Sequence, residues 1–156
     1  MKLQDIIHPI LEDEGRDYPN PLPSIDMSHP LFSEWTDVAD EVENELVDQY
    51  KRKNNIKSLT GRDYGKVVKA IRDRVGSVVS LPISSLIATE PYLDEAHLDA
   101  ILNNTAALPP SSEIPVVYKL GGKFIVGDGN HRVVAEYKRG VKKIKALIMD
   151  LDKLMG

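Results

Sequence analysis

At 156 residues the chain fits one domain, or one small domain with a sizeable extension, and its 42% hydrophobic content suffices for a real core. The absence of cysteine excludes disulfides, a thiol nucleophile and thiolate metal sites. A net charge of −4 argues against non-specific coating of nucleic acid, and no apolar run approaches the length of a membrane span.

The start, Met1-Lys2-Leu3-Gln4-Asp5, has no signal-peptide pattern, so a cytoplasmic protein is expected. Residues 5–12 suit a short helix. Five prolines in the first thirty residues make Tyr18 to Pro30 read as an extended connector rather than an element. A helix then opens at Ser33-Glu34-Trp35-Thr36 with a capping Ser, and Trp35, Val38, Val42, Leu46 and Tyr50 line one face. A second begins near Arg62, turns Tyr64, Val67, Val68, Ile71 and Val75 inward, and stops at Gly76. Trp35, Tyr50 and Tyr64 are expected in the core of this helical part. Charge is uneven here: Glu34 to Asp48 holds no Lys or Arg, whereas Lys51 to Arg74 is mostly basic.

Beyond Gly76 the texture changes. Val78 to Leu86 is strand-like and interrupted by Pro82, which suggests an edge position or a bulge. Asp94 to Asn103 is a short helix with Leu98, Ile101 and Leu102 inward, and Ala107 to Ser112 is a loop. Ile114 to Leu120 and Lys123 to Val126 flank Gly121-Gly122, a hairpin signal. A helix from Gly129 to about Arg139 stops at Gly140, and Ile144 to Met149 is a last strand. The fold class is α+β: a small mixed sheet with helices over residues 77–156, preceded by a helical N-terminal extension over residues 1–76.

The most informative stretch is Gly127-Asp128-Gly129-Asn130-His131-Arg132, where a strand turns into a helix. Such a junction leaves free N–H groups whose partial positive charge favours an anion. Asp128 is the expected N-cap and Gly127 and Gly129 are expected to meet the turn geometry, while Gly129 also lets a ligand approach the backbone. His131 can donate to a phosphate oxygen or pack on the sheet, and Arg132 can fork onto a phosphate or pair with Asp128 or Glu136. His97 and Asp99 read as solvated. With His8 and His29 they lack metal-ligand spacing, so no structural metal is expected.

This second half, residues 78–151, resembles the ParB/sulfiredoxin-like superfamily: a Pro-containing strand entry (Leu81 to Ile87), a helix, then a hairpin ending in the polar signature at Gly127 to Arg132. Sulfiredoxins carry a catalytic Cys where Asn130 stands, which excludes sulfinic-acid reduction. Partition ParB proteins carry Gly-Glu-Arg-Arg there and bind CTP; here Asp128 replaces the Glu and Gly129-Asn130 the Arg pair. The pattern is most similar to the Asp-Gly-His-x-Arg group, which includes free-serine kinases that use a nucleotide phosphate donor and ParB-like proteins of phages and plasmids. That resemblance implies Asp128 and Glu90 as catalytic acids, with His131 beside them. It implies Gly127, Gly129, Asn130, His131 and Arg132 as the holders of a nucleoside di- or triphosphate (ATP, ADP or CTP) with Mg²⁺.

The reaction expected is phosphoryl transfer to a hydroxyl, or nucleotide hydrolysis. One alternative is a DNA-binding protein or nuclease, with Lys119, Lys123, Arg139, Lys142, Lys143 and Lys145 on the phosphate backbone. Another is a catalytically inactive module of phage or plasmid type, its acidic Glu34–Asp48 face turned to a basic protein partner.

Overall fold

A computed structural model describes residues 17–103 and 114–155; the helix expected over 5–12 and the loop over 107–112 lie outside them. The first long helix, α1 (Pro30–Lys53), begins three residues earlier than Ser33 suggests. Pro30 takes the first helical position, where its missing N–H costs nothing, and His29 Nδ1 accepts from the Leu31 N–H at 3.1 Å. Helix α2 (Gly61–Val75) is capped by Thr60, whose hydroxyl accepts from the Asp63 N–H, and ends at Gly76. The two helices pack through Val47, Val67 and Ile71. Tyr64, expected in this core, lies 39% exposed at its rim, its hydroxyl donating to Asn44 Oδ1.

The strand-like stretch over 78–86 is interrupted at Pro82 and makes two strands, the first of them on a sheet edge. β2 (Ser77–Pro82) ends where Pro82 can no longer donate to a ladder. A single 3₁₀ turn (Ile83–Ser85) then carries the chain into β3 (Leu86–Ile87) on the opposite edge. Between them lie β5 (Val116–Leu120), β6 (Lys123–Asp128) and β7 (Lys143–Asp150), in the order β2-β7-β5-β6-β3. β2 runs antiparallel to β7, and β5 to β6, while β5 is parallel to β7 and β3 to β6. The β5–β6 hairpin turns on Gly121 and Gly122, whose φ of 59° and 75° are what a two-residue turn of this kind requires. The Pro-rich connector is not featureless either: β1 (Asp17–Pro19) pairs antiparallel with β4 (Tyr92–Asp94), and Ser24 bridges Ala88.

Alternation along the strands buries both sheet faces. Val117, Val126, Ala146 and Ile148 meet Leu98 and Ile101 of α3 (Glu95–Leu102) and Val133 and Val134 of α4 (Asn130–Lys138). On the other face Tyr118, Leu120, Ile125 and Met149 meet Leu31, Trp35, Ala39 and Val42 of α1 and Leu151 of α5 (Leu151–Met155). A polar knot pins α1 and α2 to this face: the Tyr118 hydroxyl donates to Glu43 Oε1 and accepts from Arg72 Nη2, which also pairs with Glu43. Burial, and then Glu43, push the Tyr118 phenol well above its ordinary pKa, so it stays a donor.

Gly127 has a different reason from the turn geometry expected of it. It is a strand residue, and a Cβ there would stand 2.4 Å from Tyr118 Cε2 and 3.3 Å from Trp35 Cζ2. The Tyr118 ring occupies the space a side chain would need.

Candidate functional site

The ends of β3 and β6 point the same way, because the two strands are parallel, and each delivers residues to one place. β6 ends in Asp128 and hands over through Gly129 to α4; the chain after β3 brings Thr89 and Glu90. Between them opens a cleft of about 450 Å³ that includes Glu90 and the whole run from Gly127 to Arg132. All the residues singled out from sequence as catalytic or phosphate-binding therefore line one cavity. Ile101, Ile114 and Pro115 form its apolar wall, and His97 completes the polar side.

Asp128 is not the helix cap expected of it. It is the last residue of β6 and exposed, and Gly129 takes the cap position at φ 96°, a conformation Asp adopts rarely. Among the described residues no side chain caps α4, so the N–H groups of its first turn are left for water or a ligand. Gly129 is tightly held: a Cβ there would lie 3.0 Å from Pro115 Cα and Cβ.

Asn130 is the one buried polar residue in the described core, 5% exposed. Its Oδ1 accepts from the Thr89 N–H at 3.0 Å and its Nδ2 donates to Thr89 Oγ1 at 3.1 Å. Thr89 Oγ1 in turn donates to the Val126 carbonyl at 2.7 Å. The Asn130 side chain is thus committed within the protein.

His131 Nε2 accepts from the Asp94 N–H at 3.0 Å. The neutral ring therefore carries its proton on Nδ1, which faces Glu90 Oε2 at 3.7 Å, too long for a hydrogen bond but close for electrostatics. His97 stacks on this ring with centroids 4.3 Å apart. Burial, reinforced by His97 and opposed by Asp94, lowers the His131 pKa and keeps it neutral at physiological pH. Glu90 moves up: burial is the main cause and Asp128 adds to it, while His97 pulls the other way. Arg132 makes no ion pair among the described residues, neither with Asp128 nor with Glu136, the two partners expected for it; Glu136 pairs with Arg139 instead.

The cleft thus joins a carboxylate of raised basicity, a second carboxylate nearby, a guanidinium and an uncapped helix start. Among the described residues no group of three or more acids or histidines could hold a metal ion. Asp128 could hold an Mg²⁺ that arrives on a nucleotide's phosphates, since that ion keeps most of its water. His97 was not singled out from sequence. The signal for it is faint: Asp94 caps α3 through the Ala96 and His97 N–H groups, which puts His97 in the first turn, but only the packing of α3 on α4 brings it to His131.

No family model matches the sequence. The chain is 34% identical over 71 residues to an uncharacterised protein of Methanocaldococcus jannaschii, a match covering 42% of this chain and 27% of that one. It therefore spans about a quarter of the length of that curated relative. Among solved structures, the C-terminally truncated chromosome-partitioning protein ParB of Caulobacter crescentus, complexed with CTP-γ-S, overlaps at a TM-score of 0.39 and 19% identity, covering 51% of this chain and 47% of that one. At that score the ligand and chemistry of the present chain must be argued from its own cleft.

Proposed function

We propose that the cleft binds the phosphates of a nucleoside di- or triphosphate and transfers a phosphoryl group to a hydroxyl or to water. The observation that carries this reading is the uncapped start of α4 opening, with Arg132, into a cleft that also holds a carboxylate of raised pKa. The helix start and Arg132 take the phosphate oxygens. Asp128 would hold the nucleotide's Mg²⁺, which would offset negative charge on the phosphates.

Glu90, ionised, accepts the proton of the attacking hydroxyl or water as its oxygen bonds to the terminal phosphorus. The bond from that phosphorus to the bridging oxygen breaks, and the shortened nucleotide leaves with the electron pair. The Nδ1–H of His131 faces the Glu90 carboxylate and steadies its charge before the proton arrives. The apolar wall of Ile101, Ile114 and Pro115 is the surface for the base.

A thermal-shift screen with Mg²⁺ and ADP, ATP, CTP or GTP tests this, because a ligand of the folded state raises the melting temperature. One nucleotide should stabilise the wild type and lose most of its effect in Arg132→Ala. No shift with any of the four contradicts the reading.

A second reading is favoured by one observation. Residues 51–69 hold seven basic residues against the single acid Asp63, in a chain of net charge −4. Lys51, Arg52 and Lys53 suit the C-terminal end of α1, but Arg62 and Lys66 sit in the first turns of α2, where the helix dipole disfavours cations. Stability does not ask for them there, which suits contact with a nucleic-acid backbone. If so, binding of a duplex DNA should weaken steeply with salt, and Arg62→Gln/Lys66→Gln/Lys69→Gln should lower the slope of log K against log[salt] by about 3. An unchanged slope removes this reading.

A further inference from the structure

Glu90 is placed with no help from its own side chain, whose carboxylate makes no hydrogen bond among the described residues; the neutral His131 ring faces it through Nδ1 at 3.7 Å. What holds it is backbone. Upstream, the Ala88 N–H donates to the Pro23 carbonyl at 2.8 Å and the Ile25 N–H to the Ala88 carbonyl at 2.9 Å. Thr89 is gripped by Asn130 at its N–H and its hydroxyl. Downstream, Asn20 Nδ2 donates to the Glu90 carbonyl at 2.9 Å and the Asn20 N–H to the Pro91 carbonyl at 2.8 Å. Each residue from Ala88 to Pro91 is tied to another segment of the chain.

We propose that Asn20 and Asn130 are positioning residues, a two-sided clamp that fixes the Glu90 loop against the start of α4. The inference rests on the reading of Glu90 as the base. The clamp is built to be stiff. Asn20 stands between Pro19 and Pro21, which restrict its backbone, and its own Oδ1 accepts from the Leu22 N–H at 2.9 Å, so the amide that reaches Glu90 is itself held. On the other side a buried amide is costly unless every bond is made, and Asn130 spends both ends on Thr89. Through Thr89 and Val126 the same grip joins β3, β6 and α4, so the base and the phosphate-binding turn form one unit. The Pro-rich segment 17–25 thereby acquires a role: it is the strap on which Glu90 rests.

The test uses Asn20→Ala and Asn20→Ser in the full chain. Serine can still accept from the Leu22 N–H and keep the turn, but is too short to reach the Glu90 carbonyl. Two readouts are taken: the Glu90 carboxyl titration by carbon-detected NMR, and kcat and KM for the nucleotide. Both variants should return the Glu90 pKa toward the ordinary carboxylate value, because the half-exposed carboxylate loses what burial the cleft gives it. They should lower kcat about 10- to 100-fold with KM nearly unchanged, the scale expected for a base displaced by about 1 Å.

A wild-type titration in both variants overturns the clamp, whatever the turnover. So does a serine variant that behaves as wild type where the alanine variant does not, since the turn alone then suffices. If the wild type turns over no nucleotide, the reading of Glu90 as base fails, while the titration still decides the clamp. Thr89→Val, which keeps its shape but loses the hydroxyl's bonds to Asn130 and Val126, should move the titration in the same direction.

Discussion

Glu90→Gln should lower turnover by about 10²- to 10⁴-fold, the range a general base contributes, with nucleotide affinity little changed. The same substitution should make the protein more stable at neutral pH. The folded-state pKa of Glu90 is raised above its ordinary value, by burial first, with His97 opposing and Asp128 adding to the rise. A raised carboxyl contributes stability that is fully present below the unfolded value and is lost as pH rises through the folded one. Glutamine, always neutral, escapes that loss. The melting temperature of the variant should therefore exceed that of the wild type at pH 8, and the advantage should vanish at pH 4. Wild-type activity should rise with pH through the same raised value. Turnover preserved in Glu90→Gln removes this residue as the base. A variant that is inactive but less stable at pH 8 instead points to a structural role.

Gly129→Ala should cost both stability and binding. At φ 96° a side chain is strained by about 1–2 kcal/mol in any surroundings. Here the new Cβ also meets Pro115 Cα and Cβ at 3.0 Å, and one of these is backbone that cannot rotate away. Pro115 is part of the cleft wall, so relief of the contact moves the wall or the first turn of α4, and nucleotide affinity should fall at least tenfold. Gly122→Ala is the matched control: φ is 75° but nothing lies within 4 Å. It should show the strain alone, with binding intact. Denaturant unfolding and calorimetric titration of the two variants measure both effects. Equal losses in the two variants, or full binding by Gly129→Ala, would show that the approach at Pro115 does not matter.

Much of the fold is legible in the sequence because local signals and tertiary structure agree. Gly121-Gly122 demands the β5–β6 turn, Gly76 and Gly140 follow two helices, and apolar periodicity orients α1 and α3. The gathering of Gly127 to Arg132 at a strand–helix corner is local too, and so could be read. What could not be read depends on partners distant in the chain. Pro82 announces the interruption of the stretch over 78–86, but that its two pieces find places on opposite edges of the sheet is something periodicity says nothing of. Gly127 looks like a turn glycine until the Tyr118 ring is seen against it. Asp128 looks like a cap because Asp commonly is one, but Gly129 takes the left-handed position and displaces it. Asn20 and Glu90 are 70 residues apart, and their bond gives the Pro-rich segment a part that composition alone hides. His97 reaches the cleft only through helix packing.

A nucleotide's phosphates are expected at the start of α4. Backbone amide NMR of the full chain, titrated with the Mg²⁺ complexes of ADP, ATP and CTP, tests it residue by residue. The amides of Gly129, Asn130, His131 and Arg132 should show the largest shifts, with Glu90 moving alongside and residues 51–69 unmoved. Absence of shifts at millimolar nucleotide, or shifts centred on the basic turn between α1 and α2, would contradict it.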